Sequence, residues 1–255
     1  MATRVGGGPS SPGAPLAPNA WLRWDVVQRR LRGGEGRLLE IGCGRGAFGA
    51  RLASQFQYTA VEPDPVAWEH AAATVGEVAP DARVVLGDVS SLGGEGGFDV
   101  VCAFEVLEHI EDDHAVLESW LSCLRPGGML LLSMPAGSSR MGPWDEAVGH
   151  FRRYDPEALE EQLTRHGLVD IEVTCYGTPL GYVTEAVRNS VARTRRVVEE
   201  GATTAERTAR SNRLLQPGPG LVAVATQVGT WPFCMLQRAF PGRGTGLVVS
   251  ARASG

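Results

Sequence analysis

A chain of 255 residues, 43% of them hydrophobic, is long enough to bury a full α/β core as one large domain or two small ones. Its formal charge of -5 argues against a nonspecific nucleic-acid binder. All 24 basic residues are arginine, which excludes a Schiff-base lysine and a Walker-type phosphate loop.

Residues 1–18 set Pro9, Pro12, Pro15 and Pro18 among Gly and Ser. Such a mixture buries too little apolar surface to offset its ordering entropy and is expected to be disordered. It lacks the apolar core of a signal peptide, so a cytoplasmic chain is expected. Trp21, Leu22, Trp24, Val27 and Leu31 then recur at helical spacing over residues 19–35.

Residues 37–134 alternate strand and helix, with strands near 37–42, 57–62, 83–87, 98–104 and 128–134 and helices near 46–55, 64–75 and 112–124. This pattern predicts a parallel sheet with right-handed crossovers. The first strand runs through Glu40 into Gly42, Cys43, Gly44 and Gly46. Alternate glycines permit a tight turn and close approach of a ligand to the backbone, and the helix that follows offers free amides. Gly42, Gly44 and Ala47 also satisfy the dinucleotide fingerprint. A pyrophosphate, however, would be repelled by Glu40, whereas the ammonium and sulfonium of S-adenosylmethionine would be attracted. Glu62 closes the second strand twenty residues after Gly42, where it could hold a ribose diol, and Asp88 closes the third, where it could accept from an adenine amino group. Each acid could instead be the cap of the next helix.

A helix near 155–166 opens on Asp155-Pro156-Glu157, with cap and first-turn chemistry, and a strand runs from Val169 to Cys175. A short β-rich run spans Thr245 to Ala251. Between these strands Val183, Val187, Val191, Thr194 and Val198 repeat at helical spacing, and Leu221 to Leu236 forms a second apolar segment, so the insertion can fold as helices over the carboxyl edge of the sheet. Its arginines at 188, 193, 195, 196, 207, 210 and 213 form either a solvated face or a grip on an anionic substrate. The polar breaks at Gln227, Gly229, Pro232, Gln237 and Arg238 argue against a bilayer span. Five scattered cysteines without a C-x-x-C pair read as reduced core thiols.

Glu40-Ile41-Gly42-Cys43-Gly44-Arg45-Gly46, Val61-Glu62-Pro63-Asp64, Gly87-Asp88, Phe98-Asp99-Val100-Val101, Glu105-Val106-Leu107-Glu108-His109 and Leu124-Arg125-Pro126-Gly127-Gly128 together resemble the class I S-adenosylmethionine-dependent methyltransferases in order and spacing, over about residues 37–178. The resemblance implies a Rossmann-like, doubly wound α/β sheet of seven strands whose last is antiparallel, with a helical lid inserted. It divides the chain into a tail (1–18), a cofactor-binding core (19–178), a lid that chooses the substrate (179–243) and the final strand (244–255). It also implies that the leading helix closes over the cofactor. Glu40, Gly42, Cys43, Gly44 and Gly46 are then expected at the methionine end, Glu62 and Pro63 at the ribose, Asp88 and Val89 at the adenine, and Phe104 with Glu105 at the inner wall.

Methyl transfer needs an acceptor aligned behind an already activated methyl group and, for a hydroxyl or protonated amine, a base. His109 and His150 are the candidates, since imidazole is the usual base near neutrality. Trp144, Arg152, Arg153 and Tyr154 beside His150, with Tyr182 at the start of the insertion, have the mixed character of a pocket wall. In many relatives, though, the Glu-His pair braces the loop beneath the cofactor. Glu105, Glu108, His109 and His150 also resemble the Mg²⁺- or Mn²⁺-binding set of methyltransferases acting on the 3′-terminal ribose of small RNAs, and quinone O-methyltransferases carry a related cluster. The expected function is methylation of a small molecule on oxygen or nitrogen in specialised metabolism, with no nucleic-acid or membrane partner. The alternatives are a metal-assisted O-methyltransferase and a noncatalytic S-adenosylmethionine-binding regulator. The oligomeric state stays open, a homodimer being one reading. A nicotinamide-dependent reductase would use the same glycine turn but lacks a Tyr-x-x-x-Lys set.

Overall fold

The computed structural model describes residues 14–195 and 220–254. Strands β1 (Arg37–Ile41), β2 (Gln57–Glu62), β3 (Arg83–Leu86), β4 (Phe98–Phe104), β5 (Leu124–Pro135), β6 (Leu168–Gly177) and β7 (Gly244–Ala253) form one sheet in the order β3-β2-β1-β4-β5-β7-β6. β7 runs antiparallel to both of its neighbours, and the pairs among β1 to β5 are parallel. The strand order reverses direction between β1 and β4, and a doubly wound sheet opens a crevice at such a switch point.

Side chains alternate across the sheet because successive residues of a strand point to opposite faces. Leu39, Val101, Ala103, Leu130 and Leu132 pack on one face with Leu117 and Trp120 of helix α4 (Asp113–Leu121) and Leu159 and Leu163 of α6 (Pro156–Arg165). Leu38, Ala60, Val100, Cys102 and Leu131 pack on the other with Leu22, Val26 and Val27 of α1 (Pro18–Arg30), Leu52 of α2 (Gly49–Ala53) and Val75 of α3 (Pro65–Gly76). Burial on both faces explains why the central strands are continuous apolar runs. The five cysteines are unpaired and buried.

Several expectations are corrected. Within the tail, residues 14–18 are ordered: Leu16 is buried, Arg51 donates to the Ala14 carbonyl at 3.0 Å, and Pro18 opens α1. Residues 1–13 lie outside the described residues. β5 begins at Leu124, four residues early, because a break in its register with β4 accommodates Pro126-Gly127-Gly128. Asp155 does not cap α6 with its side chain; the carboxylate accepts instead from the amide and hydroxyl of Ser138. A short helix α5 (Pro143–Val148) was not anticipated, although Pro143 at its first turn and Gly149 in the left-handed conformation at its end mark it plainly.

The insertion contains α7 (Leu180–Arg195) and α8 (Leu221–Gln237). α7 packs on α5 and β7, whereas α8 packs on α1. Cys234 and Gln237 bond the carbonyls of Trp21 and Leu22, and Arg238 pairs with the buried Asp25. Of the two described helices of the insertion, α7 reaches the carboxyl edge of the sheet and α8 braces α1. Val198 and the arginines at 196, 207, 210 and 213 lie outside the described residues. Among the described residues, no helix is long and apolar enough to cross a membrane.

Candidate active site

A cavity of about 890 Å³ opens at the carboxyl ends of β1 to β5, under α1, α5 and α7. Its floor is the loop after β1, where Gly42, Gly44 and Gly46 all take positive φ. At Gly42 a Cβ would lie 2.7 Å from Val106, and at Gly46 it would lie 2.9 Å from the Ala71 backbone. Glycine is therefore required at both by space as well as by conformation. Gly46 does not line the cavity; it lets the loop press against α3.

Of the expected cofactor residues, Glu40, Gly42, Cys43, Gly44, Glu62, Pro63, Asp88, Val89, Phe104 and Glu105 all line this cavity. Glu62 accepts from the Gly44 amide at 2.7 Å and the Asp64 amide at 3.0 Å, so its carboxylate locks the glycine loop and retains lone pairs toward the cavity. Burial raises its pKa, against the pull of those amides. Asp88 is exposed and accepts from the Ser90 hydroxyl and amide, which hold its carboxyl below the usual range.

Glu40 requires a correction. Tyr58 donates to it at 2.5 Å, both groups are buried, and burial pushes the Glu40 carboxyl up to about 8. Burial thus favours its neutral form and weakens the cation-attracting charge assigned to it. That role falls to Glu105, which takes a left-handed backbone (φ 59°) rare outside glycine. Burial acts to raise its pKa, but the Arg23 guanidinium at 3.0 Å and neighbouring His150 outweigh burial and keep the carboxyl low. Ser133 and Tyr176 complete its hydrogen bonds at 3.2 and 3.3 Å.

Arg23 and Tyr176 escaped the sequence reading. Arg23 lies on α1 at i+3 from Ala20; both line the cavity, and the guanidinium sits 5.1 Å from the Phe48 ring centroid. Trp24, Phe48 and Phe104 stack edge to face at 4.9 and 5.2 Å. The leading helix thus contributes both to the cavity roof and to packing on the sheet.

On the acceptor side the structure brings His109, Trp144, His150 and Arg153 to the cavity. His150 Nδ1 lies 2.8 Å from Asp145 Oδ1. Burial tends to raise Asp145, but hydrogen bonds from His150 and Arg153 overcome it and hold the carboxyl at about 2. An ionised Asp145 can only accept, so His150 Nδ1 carries a proton directed at Asp145 and Nε2 is the ring nitrogen left over. His109 Nδ1 faces the Gly149 carbonyl at 3.3 Å, and burial lowers its pKa to about 4, so its Nε2 is unprotonated.

Beside the two imidazoles, whose ring centroids lie 4.7 Å apart, lies Glu108. It is fully buried, neither carboxyl oxygen has a hydrogen-bond partner among the described residues, and Oε1 lies 3.9 Å from His150 Nε2. Burial, with Glu105 nearby, drives its pKa well up. Donor atoms from Glu108, His109 and His150 all fall within 4.8 Å of one another. Glu105 is not part of this cluster, because Arg23 claims it.

The remaining expected wall residues lie elsewhere. Arg152 pairs with Asp113 at 2.7 Å and donates to the Glu111 carbonyl, while Tyr154 donates to Asp113 at 2.9 Å, so both tie their loop to α4. Tyr182 faces outward beneath Arg140, whose guanidinium is 4.5 Å from its ring centroid. α7 instead supplies Glu185 and Arg188 to the cavity.

The methyltransferase domain family matches residues 19–173, more than half of the chain and the whole of the cavity floor. The chain belongs to this family. The chain is 35% identical over 131 residues to a protein named ubiquinone biosynthesis O-methyltransferase from Xanthomonas axonopodis pv. citri (strain 306), a match covering 49% of the chain and 53% of the relative. The chain thus spans about half the length of the curated relatives it matches. Among solved structures, the chain resembles Haemonchus contortus phosphoethanolamine N-methyltransferase 2 in complex with phosphomonomethylethanolamine and S-adenosylhomocysteine, with a TM-score of 0.56, 19% identity and coverage of 91% of this chain and 53% of that one. It also resembles the [4+2]-cyclase SpnF, with a TM-score of 0.58, 20% identity and coverage of 97% and 89%. Identities this low speak for the fold alone.

Proposed function

We propose that this chain transfers the sulfonium methyl group of S-adenosylmethionine to a hydroxyl of a small-molecule acceptor. The observation that carries the reading is the Asp145–His150 dyad in the wall of the cavity whose floor is the glycine loop. A noncatalytic cofactor-binding regulator has no use for an oriented imidazole, whereas a hydroxyl must lose its proton as it attacks carbon. The names of the curated relatives also favour oxygen as the acceptor.

In this reading Glu62 takes the ribose hydroxyls through its free lone pairs, and Asp88 and Val89 flank the adenine. Arg23 and Glu105 face the carboxylate and ammonium of the methionyl end. Phe48 and Phe104 exclude water beside the sulfonium. His150 Nε2 accepts the acceptor's proton, and Asp145 stabilises the imidazolium that forms.

Glu108, His109 and His150 also fit a divalent cation, which would take the His150 Nε2 lone pair and so replace the imidazole base rather than act beside it. A buried carboxyl with no hydrogen bond among the described residues leaves a desolvation cost of about 1–3 kcal/mol that a cation would relieve, and the Nδ1 bonds of both histidines leave Nε2 available. Two imidazoles and one carboxylate suit Zn²⁺ or Mn²⁺ better than Mg²⁺, which prefers oxygen donors. When bound, such an ion supplies a Lewis acid that lowers the pKa of a coordinated hydroxyl.

The test is calorimetry with S-adenosylhomocysteine, followed by a coupled assay for its release over a panel of phenols, catechols, ribosides and amines. Micromolar binding and turnover on hydroxyls are expected. Turnover confined to amines, or failure to bind the thioether nucleoside, would overturn the reading.

A further inference from the structure

Besides the glycine loop and the dyad, the cavity contains a cation with no counterpart among the described residues. Arg188, on α7, lines the cavity and forms no hydrogen bond or ion pair with any of them; its Nε is buried without a partner. Its neighbours are spoken for. Glu185 pairs with Arg140 at 2.7 Å and Arg153 at 3.0 Å, Asp145 pairs with Arg153 at 2.7 Å, and Glu105 pairs with Arg23 at 3.0 Å. The carboxylates of Glu105, Asp145 and Glu185 are thus taken by the guanidiniums of Arg23, Arg140 and Arg153, which leaves Arg188 without a carboxylate of its own. Burial pulls the Arg188 guanidinium below its ordinary value.

The site is built rather than incidental. The guanidinium carbon of Arg188 lies 5.5 Å from the ring centroid of Trp144, a side chain that also lines the cavity. Asn189, the next residue, accepts from the Trp144 amide at 3.0 Å and so fastens α7 to α5 at this point. Arg193, on the same helix, is exposed to solvent, so Arg188 differs in setting from its neighbour in the arginine-rich stretch. A desolvated cation without a counter-ion is costly to bury, and the cost is recovered when a ligand supplies the anion. Guanidinium also offers paired donors that match the two oxygens of a carboxylate or phosphate.

We propose that Arg188 and Trp144 form a subsite for an anionic group carried by the methyl acceptor, with the tryptophan ring packing against the apolar part of the acceptor that bears it. The proposal rests on the methyl-transfer reading. Arg23 is the separate cation for the methionyl carboxylate, because it sits over Phe48 beside the glycine loop. The acceptor's anion could be a carboxylate or a phosphate monoester, and the experiment distinguishes them.

Protein saturated with S-adenosylhomocysteine is titrated calorimetrically with 4-hydroxybenzoate, phenyl phosphate and the uncharged 4-hydroxybenzamide, for wild type and for Arg188→Met. At least one acid is expected to bind about tenfold or more tightly than the amide, a ratio typical of one charge-assisted pair, and the better acid names the group. Arg188→Met should reduce the ratio to within about threefold, and Arg188→Lys should keep part of it, both with the S-adenosylhomocysteine affinity unchanged. Failure of both acids to bind, a preference that survives in Arg188→Met, or a loss of S-adenosylhomocysteine affinity in that variant would each overturn the subsite. Failure of wild type to bind S-adenosylhomocysteine would instead overturn the methyl-transfer reading beneath it.

Discussion

Replacing Asp145 by asparagine removes one charge from the point where α5, the dyad and Arg153 meet. The carboxylate accepts from His150 Nδ1 at 2.8 Å, from Arg153 Nε and Nη2 at 2.9 and 2.7 Å, and from the Gly142 amide at 2.9 Å. Breaking one side of a buried ion pair costs about 3–5 kcal/mol, and Glu185, still 3.0 Å from Arg153, places the expected loss near the lower end, about 3 kcal/mol at pH 7. The pH dependence provides an independent check. Because the folded carboxyl titrates at about 2 rather than near the ordinary 3.8, it contributes stability that is present above pH 3.8 and lost as the pH falls through 2. Each tenfold difference in proton affinity between the folded and unfolded chain is worth about 1.4 kcal/mol, so the full contribution is about 2 kcal/mol, of which about half is gone by pH 3. Urea denaturation of wild type and Asp145→Asn at pH 7, 5, 4 and 3 measures both quantities. The two stability curves should converge by about 1 kcal/mol between pH 5 and pH 3. A difference below about 1 kcal/mol at pH 7, or parallel curves across that window, would show that Asp145 is not an ionised anchor.

Three further outcomes are expected. Glu62→Ala should weaken S-adenosylhomocysteine binding by about 1.5–3 kcal/mol, because it removes both the ribose acceptor and the brace on the Gly44 amide; an unchanged dissociation constant from calorimetry would refute the assignment. His150→Gln should slow turnover of the best hydroxyl acceptor by about 10²–10⁴-fold while cofactor affinity is retained, and full activity would reduce His150 to scaffold. Glu108→Leu should leave the metal-free protein as stable as wild type or more so, since it replaces an unpartnered buried acid by an apolar group, and should abolish any rise in Tm on adding Zn²⁺ or Mn²⁺. Wild type that shows no such rise, and contains no metal by elemental analysis, would remove the cation from the reading.

The positions and parallel direction of the central strands, the glycine loop and the acids that follow it were legible from sequence because they depend on local signals. Continuous apolar runs, turn chemistry and the spacing between Gly42 and Glu62 all act within a few tens of residues. The pairing of side chains across the cavity was not legible in the same way. Glu40 reads as a charge beside a turn, yet Tyr58, eighteen residues away, donates to it within a dry core and burial favours its neutral form. Glu105, Glu108, His109 and His150 read as one cluster, but Arg23 from the first helix withdraws Glu105 and leaves the other residues together. Arg152 and Tyr154 look like pocket residues beside His150, whereas Asp113 draws both away.

The sequence by itself thus determined which backbone elements form and where a ligand must approach closely, since sterics and periodicity are properties of short segments. Only the tertiary structure decided which ionisable groups carry charge and which of them face the ligand. Charge in a protein interior depends on desolvation and on partners brought from distant parts of the chain, as the buried Nε of Arg188 and the buried carboxyl of Glu108, neither hydrogen-bonded among the described residues, show.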